Sequence, residues 1–353
     1  MPGSTSTGTA AAAVWLPFAV CAVLIGLGGF QLTRHAEVIA RRTGLSGSWI
    51  GLALLATVTS LPELATGITS VTAADAPNLA VGNALGSCVL NLVFLVLIDF
   101  LFRQEPVWRR ANQGHVLAAA FGVVLLGFTL VSLLVGHVLP EAPAGPLQGW
   151  PQLGFGLATP VVLALYLVAM RTVFTYERAH TVATPVTAAE LTALPTLRAA
   201  VLRFALAALV VLGAGFWLPF VAMDLAATMG WNRSFVGSLF MAVVTTLPEL
   251  AVTVSALRLG AVDLAIGNLL GSNLFNVTII AVDDLFYRRG AVLADASLVH
   301  AVTAASAIVM TGLAMVGLFF RPRSRVLRAV GWVSLGLFAT YLLNTYVLYL
   351  HGD

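Results

Sequence analysis

Uncharged apolar runs of about 20 residues recur along the whole chain, and each is long enough to cross the hydrocarbon core of a bilayer as a helix. Hydrocarbon offers no partner to a backbone N–H or C=O, so each run must satisfy its own peptide groups, which a helix does within one segment. Bounded by Arg, Pro, Gly and acidic residues, the runs predict spans near 11–33, 48–72, 78–101, 113–137 and 152–171. A second set follows near 199–226, 235–257, 264–286, 294–319 and 328–350. Only 9% of the 353 residues are charged and 59% are hydrophobic, against about 25% and 45 to 50% in a soluble protein. Nothing is left over for a soluble catalytic domain. The expected class is an all-α integral membrane protein and not an enzyme.

The formal charge of +3 comes with 18 Arg residues and no Lys. These arginines stand singly or in small clusters between apolar runs, which excludes a nucleic-acid partner and reads as topology signalling. Fifteen of the 18 fall in loops after odd-numbered spans, whereas Arg233, Arg288 and Arg289 lie on the other side. The positive-inside rule puts the richer side in the cytoplasm, with both termini outside a plasma (inner) membrane. Residues 1–10 are small and polar without Arg, and no cleavage site follows, so the run from Ala11 reads as a first span and not a signal peptide. Cys21 and Cys88 read as small core residues.

The polar stretch at 171–198 divides the chain into an expected five-helix unit at 1–172, a cytoplasmic connection at 173–198 and a second unit at 199–353. Five is odd, so the second unit enters the membrane from the opposite side. A repeat is present: GLSGSWIGLALLATVTSLPELATGITSV at 44–71 lies over GWNRSFVGSLFMAVVTTLPELAVTVSAL at 230–257, pairing Gly51 with Gly237 and Pro62 with Pro248 at a shift of 186. AVGNALGSCVLN at 80–91 matches AIGNLLGSNLFN at 265–276 at a shift of 185. The expected architecture is therefore ten helices in two inverted five-helix repeats, with the site at the midplane.

Glu63 and Glu249 fall near the middle of equivalent spans. A carboxylate there costs about 2.5 to 3.5 kcal/mol and needs a cation, a partner or a proton. Each follows a proline that breaks the helix and frees the carbonyl of Val58 or Val244. Thr59, Ser60, Thr245 and Thr246 add short oxygen donors, while the outlying Thr57 and Thr66 are expected to bond their own helices. Asn83, Ser87 and Asn91, like Asn268, Ser272 and Asn276, recur every fourth residue and form a polar stripe down one helix face. Gly82 with Gly86, and Gly267 with Gly271, offer small faces for close packing. Interhelical hydrogen bonding is the competing account of the stripe, and a hydrogen-bonded carboxyl pair that of the acids. An oxygen-only set suits hard cations such as Ca²⁺ or Na⁺. Asp99, Asp283 and Asp284 are expected at span ends, facing interfacial water or Arg103, Arg288 and Arg289, with Asp224 and Asp263 placed similarly. Trp15, Trp150, Tyr341 and Tyr349 fit an interfacial belt.

These motifs resemble the calcium:cation antiporters, specifically the sodium/calcium exchanger branch. TSLPEL and TTLPEL are similar to its GTSLPE signature, and GNALGSCVLN and GNLLGSNLFN to its GNxxGSNxxN/D signature. The resemblance implies Glu63 and Glu249 as central ligands. It implies Thr59, Ser60, Thr245 and Thr246 as further oxygen donors, with carbonyls from Ala56 and Ala242. Ser87 and Ser272 would line sodium positions, and Asn91 and Asn276 the middle of the site. Three residues depart from the pattern: Val58 and Val244 replace the signature glycine, Cys88 replaces Asn, and Asn276 stands where many members carry Asp. The implied activity is exchange of Ca²⁺ for Na⁺ by alternating access, with no cofactor and with the bilayer and small cations as partners. A proton- or potassium-coupled divalent exchanger, a passive channel and a non-transporting scaffold are the alternatives.

Overall fold

A computed structural model describes residues 4–43, 55–102, 105–112, 114–138, 156, 158–180, 194–258, 260, 262–323 and 330–351. Expectations for Gly51, Arg103, Trp150 and residues 181–193 of the connection lie outside the described residues. The described chain is helical: α1 (Ser4–Thr43), α2 (Ala56–Thr59), α3 (Leu61–Thr72), α4 (Pro77–Leu101), α5 (Val107–Arg110), α6 (Gly114–Val138) and α7 (Ala158–His180). Then come α8 (Leu197–Met229), α9 (Arg233–Thr245), α10 (Leu247–Arg258), α11 (Val262–Phe286), α12 (Val292–Asp295), α13 (His300–Phe320) and α14 (Trp332–His351). Among the described residues, eight helices are long and apolar enough to cross a bilayer, or nine when the bent α9–α10 pair counts as one span.

Local chemistry sets the ends. Pro77 begins α4, where its missing N–H costs nothing. Thr196 caps α8 by accepting from the Ala199 N–H, and Gly230 ends it with φ of 69°, a conformation glycine adopts without a Cβ clash. Asn232 then starts α9 by accepting from the Phe235 N–H at 2.6 Å. Two breaks matter most. Ser60 separates α2 from α3 at φ −88° and ψ 12°, and Thr246 separates α9 from α10 at φ −84° and ψ 5°. In each case the proline two residues on occupies the first turn of the next helix, where it is tolerated. The second break bends the chain by 45°.

The centre of the bundle is made by α4 and α11, which pack on each other and are the most buried of the long helices. The α1 and α8 helices pair along their length and turn Leu27, Phe30, Leu206 and Leu209 outward, as a lipid-facing surface requires. Both also reach the breaks. Gly29 of α1 lies so close to Pro248 that a methyl group there would overlap its ring, and Gly215 of α8 sits against Ala65 and the Pro62 carbonyl. Gly86 of α4 similarly admits the backbone of Ser238, inside a π-helical turn at Val236–Met241. Cys21 and Cys88 are buried free thiols, as their apolar settings suggest. Trp15 packs edge-on against Trp231 and Phe240.

The span-end aspartates depart from expectation. Asp99 and Asp284 are buried, not facing water or arginine. Asp99 accepts from the Val107 N–H at 3.2 Å, the Gly331 N–H at 2.8 Å and the Ser334 hydroxyl at 2.6 Å. Asp284 accepts from the Val292 N–H at 2.6 Å, the Gly156 N–H at 2.7 Å and the Thr159 hydroxyl. The two acids, and the two N–H donors at 107 and 292, are both 185 residues apart, so each half carries the same clasp on the loop leaving its central helix. Arg289 pairs instead with Asp75 at 2.5 Å. Asp224 is exposed, and Asp263 accepts from the Asn112 N–H at 2.6 Å and contacts His115 at 3.1 Å.

Removing either clasp strands buried donors, a loss of about 1–3 kcal/mol per group. Asp99→Ala and Asp284→Ala are each expected to lower the thermal unfolding midpoint in detergent, Asp99→Asn and Asp284→Asn less so. A melting curve unmoved by the alanine changes would show that the clasps carry no stability.

Candidate ion-binding site

The breaks at Ser60 and Thr246 decide where the carboxylates go. Each leaves a glutamate in the first turn of the following helix, close to free backbone N–H groups that favour negative charge. Glu63 and Glu249 are completely buried, as are Thr59, Ser60, Thr245, Thr246, Ser87, Ser272, Asn91 and Asn276; Ala56 and Ala242 are buried too. These twelve positions lie on or at the breaks of α2–α3, α9–α10, α4 and α11, elements that pack against one another.

The pairing runs within and between the halves. Within each, a hydroxyl from the central helix meets the glutamate: Ser87 Oγ donates to Glu63 Oε1 at 3.4 Å, and Ser272 Oγ to Glu249 Oε1 at 3.3 Å. Between them, Ser60 Oγ donates to Glu249 Oε1 at 2.9 Å. Thr245 Oγ1 donates to Asn83 Oδ1 at 3.0 Å and lies 3.5 Å from Ser87 Oγ. Thr59 adjoins Glu249, and Thr245 adjoins Glu63. The Thr246 hydroxyl instead turns back to the Ala242 carbonyl at 2.7 Å, a bond within its own helix. Ala56 and Ala242 carbonyls also accept the N–H of the break residue itself, from Ser60 at 3.2 Å and Thr246 at 3.0 Å.

Several buried polar atoms at this place have no hydrogen-bond partner: Glu63 Oε2, Glu249 Oε2, Asn91 Oδ1 and both amide atoms of Asn268 and Asn276. Buried polar atoms ordinarily find partners, so unpartnered oxygens on both carboxylates and amides on the helices packed against them leave bonding capacity for a further group. The donors offered are oxygens. Among the described residues, no three His, Cys, Asp or Glu side chains converge as a transition-metal site would require. Hydroxyl, amide, carbonyl and carboxylate oxygens around a charge of at most −2 fit a hard cation.

Sequence reasoning missed one residue that bridges the two central helices and two buried histidines packed against their glycines. Asn273 occupies the place equivalent to Cys88; it accepts from Asn91 Nδ2 at 3.0 Å and donates to the Cys88 carbonyl at 3.1 Å, locking α4 to α11. His115 and His300 are buried and also 185 residues apart; each ring lies against a glycine of the opposite half, His115 over Gly267 and His300 over Gly82. The same spacing that exposed the motifs would have found them. Thr66, expected to bond its own helix, donates across to the Gly215 carbonyl at 3.2 Å, and Thr57 reaches Tyr166.

The chain is 29% identical over 255 residues to inner membrane protein YrbG of Escherichia coli (strain K12), covering 71% of this chain and 72% of that protein. Over 81 residues, 23% of each chain, it is 40% identical to the sodium/calcium exchanger MaX1 of Methanosarcina acetivorans. Its fold is similar to that of the sodium-calcium exchanger NCX_Mj soaked with Na⁺ and Sr²⁺, at a TM-score of 0.60 and 21% identity, covering 94% of this chain and 98% of that one. The family model described as sodium/calcium exchanger protein matches residues 13–175 and 199–347, so this chain, a multi-pass membrane transporter and not an enzyme, belongs to the sodium/calcium exchanger family.

Proposed function

We propose that the protein exchanges Ca²⁺ for Na⁺ by alternating access at a midplane site shared by two inverted five-helix units, 1–172 and 199–353, joined by 173–198. The observation that carries this reading is the pair of buried glutamates, Glu63 and Glu249, each with one unpartnered oxygen and each bonded by hydroxyls from both halves or their central helices. One divalent ion balances two carboxylates in a low-dielectric setting, and monovalent ions on the same oxygens balance them equally well. Loading by one therefore excludes the other, which is the physical basis of exchange.

Glu63 and Glu249 serve as the central ligands in this reading. Thr59, Ser60, Thr245 and Thr246, with the carbonyls of Ala56 and Ala242, complete the coordination. Ser87 and Ser272 hold sodium beside the glutamates, and Asn91 and Asn276 close the middle. Ten spans follow if α2–α3, with the residues preceding them, makes one crossing and α9–α10 another. The two separate stretches matched by the family model support the two-unit division. With the Arg-rich loops in the cytoplasm, both termini face outward from a cell or inner membrane. The glycine contacts of α1 on Pro248 and of α8 on Pro62 couple each long helix to the break of the other half, so sliding of the α1–α8 pair would open one side of the site at a time.

In proteoliposomes, an imposed sodium gradient is expected to drive ⁴⁵Ca²⁺ flux, and Glu63→Gln or Glu249→Gln to reduce it about tenfold or more, since losing one charge-assisted contact costs roughly 1.5–3 kcal/mol. Flux that ignores sodium and follows a pH gradient would refute sodium coupling. Ser60→Ala removes the hydroxyl that makes the 2.9 Å bond between halves and is an oxygen donor of the site in this reading. A rise of about fivefold in the Ca²⁺ concentration giving half-maximal flux is expected, corresponding to about 1 kcal/mol for a buried hydrogen bond. An unchanged value would remove Ser60 from the site.

A further inference from the structure

Among the described residues, Asp283 stands apart from every other buried acid. It is fully buried in α11, and neither of its carboxylate oxygens has a hydrogen-bond partner. Its neighbour Asp284 is held by two backbone N–H groups and a hydroxyl. The carboxylate of Asp283 lies directly over Gly67 of α3, close enough that a methyl group at position 67 would overlap it. Gly67 is four residues beyond Glu63, hence one turn farther along the same helix face. Ser70 follows three residues later, also buried, with an unpartnered hydroxyl. On the opposing helix, Asp283 is seven residues beyond Asn276, again on one face. Free oxygens of Glu63, Asp283 and Ser70 thus follow one another along the contact between α3 and α11.

The repeat shows that the fold does not require this acid. Asp99 and Asp284 are equivalent in the two halves and both serve as clasps, whereas the position equivalent to Asp283 is Ile98 and the position equivalent to Gly67 is Thr253. Of the two equivalent pairings between the halves, one sets a carboxylate over a glycine and the other joins an isoleucine and a threonine. A buried, unpartnered acid present on one side only carries a cost that packing does not offset, and a bound cation would offset it.

We propose that Asp283, with Ser70, forms a second cation station one helical turn from the midplane carboxylates, and that it takes Na⁺. A single carboxylate with a hydroxyl beside it balances one monovalent hard cation, whereas a divalent ion would leave excess charge in an apolar setting. The station lies toward the end of α3 and α11 that the Arg distribution places outside, between the midplane and the external face. It supplies the third negative charge that Asn276 does not, two turns farther along the same face. The proposal rests on the reading of the midplane site as a cation site, and its test separates the two.

Full-length Asp283→Asn protein in proteoliposomes keeps side-chain volume and removes the charge. Ca²⁺/Ca²⁺ self-exchange, which uses only the midplane site, is expected to stay within about twofold of the unaltered protein, a ratio worth less than 0.5 kcal/mol. The sodium concentration that half-activates Ca²⁺ flux is expected to rise at least about threefold, with a lower Hill coefficient, a shift near 0.7 kcal/mol. Unchanged sodium activation would overturn the proposal, and so would equal loss of both fluxes, which would place Asp283 in the fold or the shared site. A direct measurement covers the case in which neither protein shows sodium-coupled flux. ²²Na⁺ binding to purified Glu63→Gln/Glu249→Gln protein is expected to persist and to disappear when Asp283→Asn is added. Binding absent from that double variant, or present and insensitive to Asp283→Asn, would overturn the station whatever becomes of the midplane reading.

Discussion

Everything near the centre of this bundle answers to the cost of placing two carboxylates in a low-dielectric interior. An isolated charge there is unfavourable by about 2.5–3.5 kcal/mol even on a lenient scale. The chain meets that cost with hydroxyls from both halves, the backbone donors of a newly begun helix, and amides that still have free valences. Proline makes this possible. By ending one helix and starting another at membrane depth, it turns each glutamate into a first-turn residue near free N–H groups instead of a mid-helix residue with none.

The same constraint explains why α4 and α11 are the most buried long helices. Their Asn and Ser stripes would be unfavourable against lipid, so they face inward, and glycines allow the approach. Gly86 meets the backbone of Ser238, and Gly29 and Gly215 meet the prolines of the breaks or their neighbours. Helices in a bilayer gain little from apolar contact with each other, because lipid tails are equally apolar. Close packing and interhelical hydrogen bonds such as Asn91 to Asn273 take that role.

Much of this was legible in the residues. The long apolar helices follow from the uncharged runs, and the two breaks from Pro62 and Pro248. The polar residues singled out as ligands are all buried together. The aspartates were not legible in the same way. Asp99, Asp283 and Asp284 look alike as acids near span ends, yet two are clasped by backbone N–H groups and one has no partner. Nothing local distinguishes them, since their donors come from residues 8 to 235 positions away.

Hydropathy, helix-breaking residues and internal repetition are properties of short segments, so the chain by itself determines that it is a helical membrane protein with paired acids beside paired breaks. Partner choice is a property of distant segments brought together. Only the tertiary structure decided that Ser60 serves the glutamate of the other half, that Thr246 turns back on its own helix while Thr66 reaches α8, and that Gly67 leaves room for Asp283. The physical reason is geometric: hydrogen bonds and steric gaps act over about 3 Å, and no pattern along the chain specifies which residues come that close.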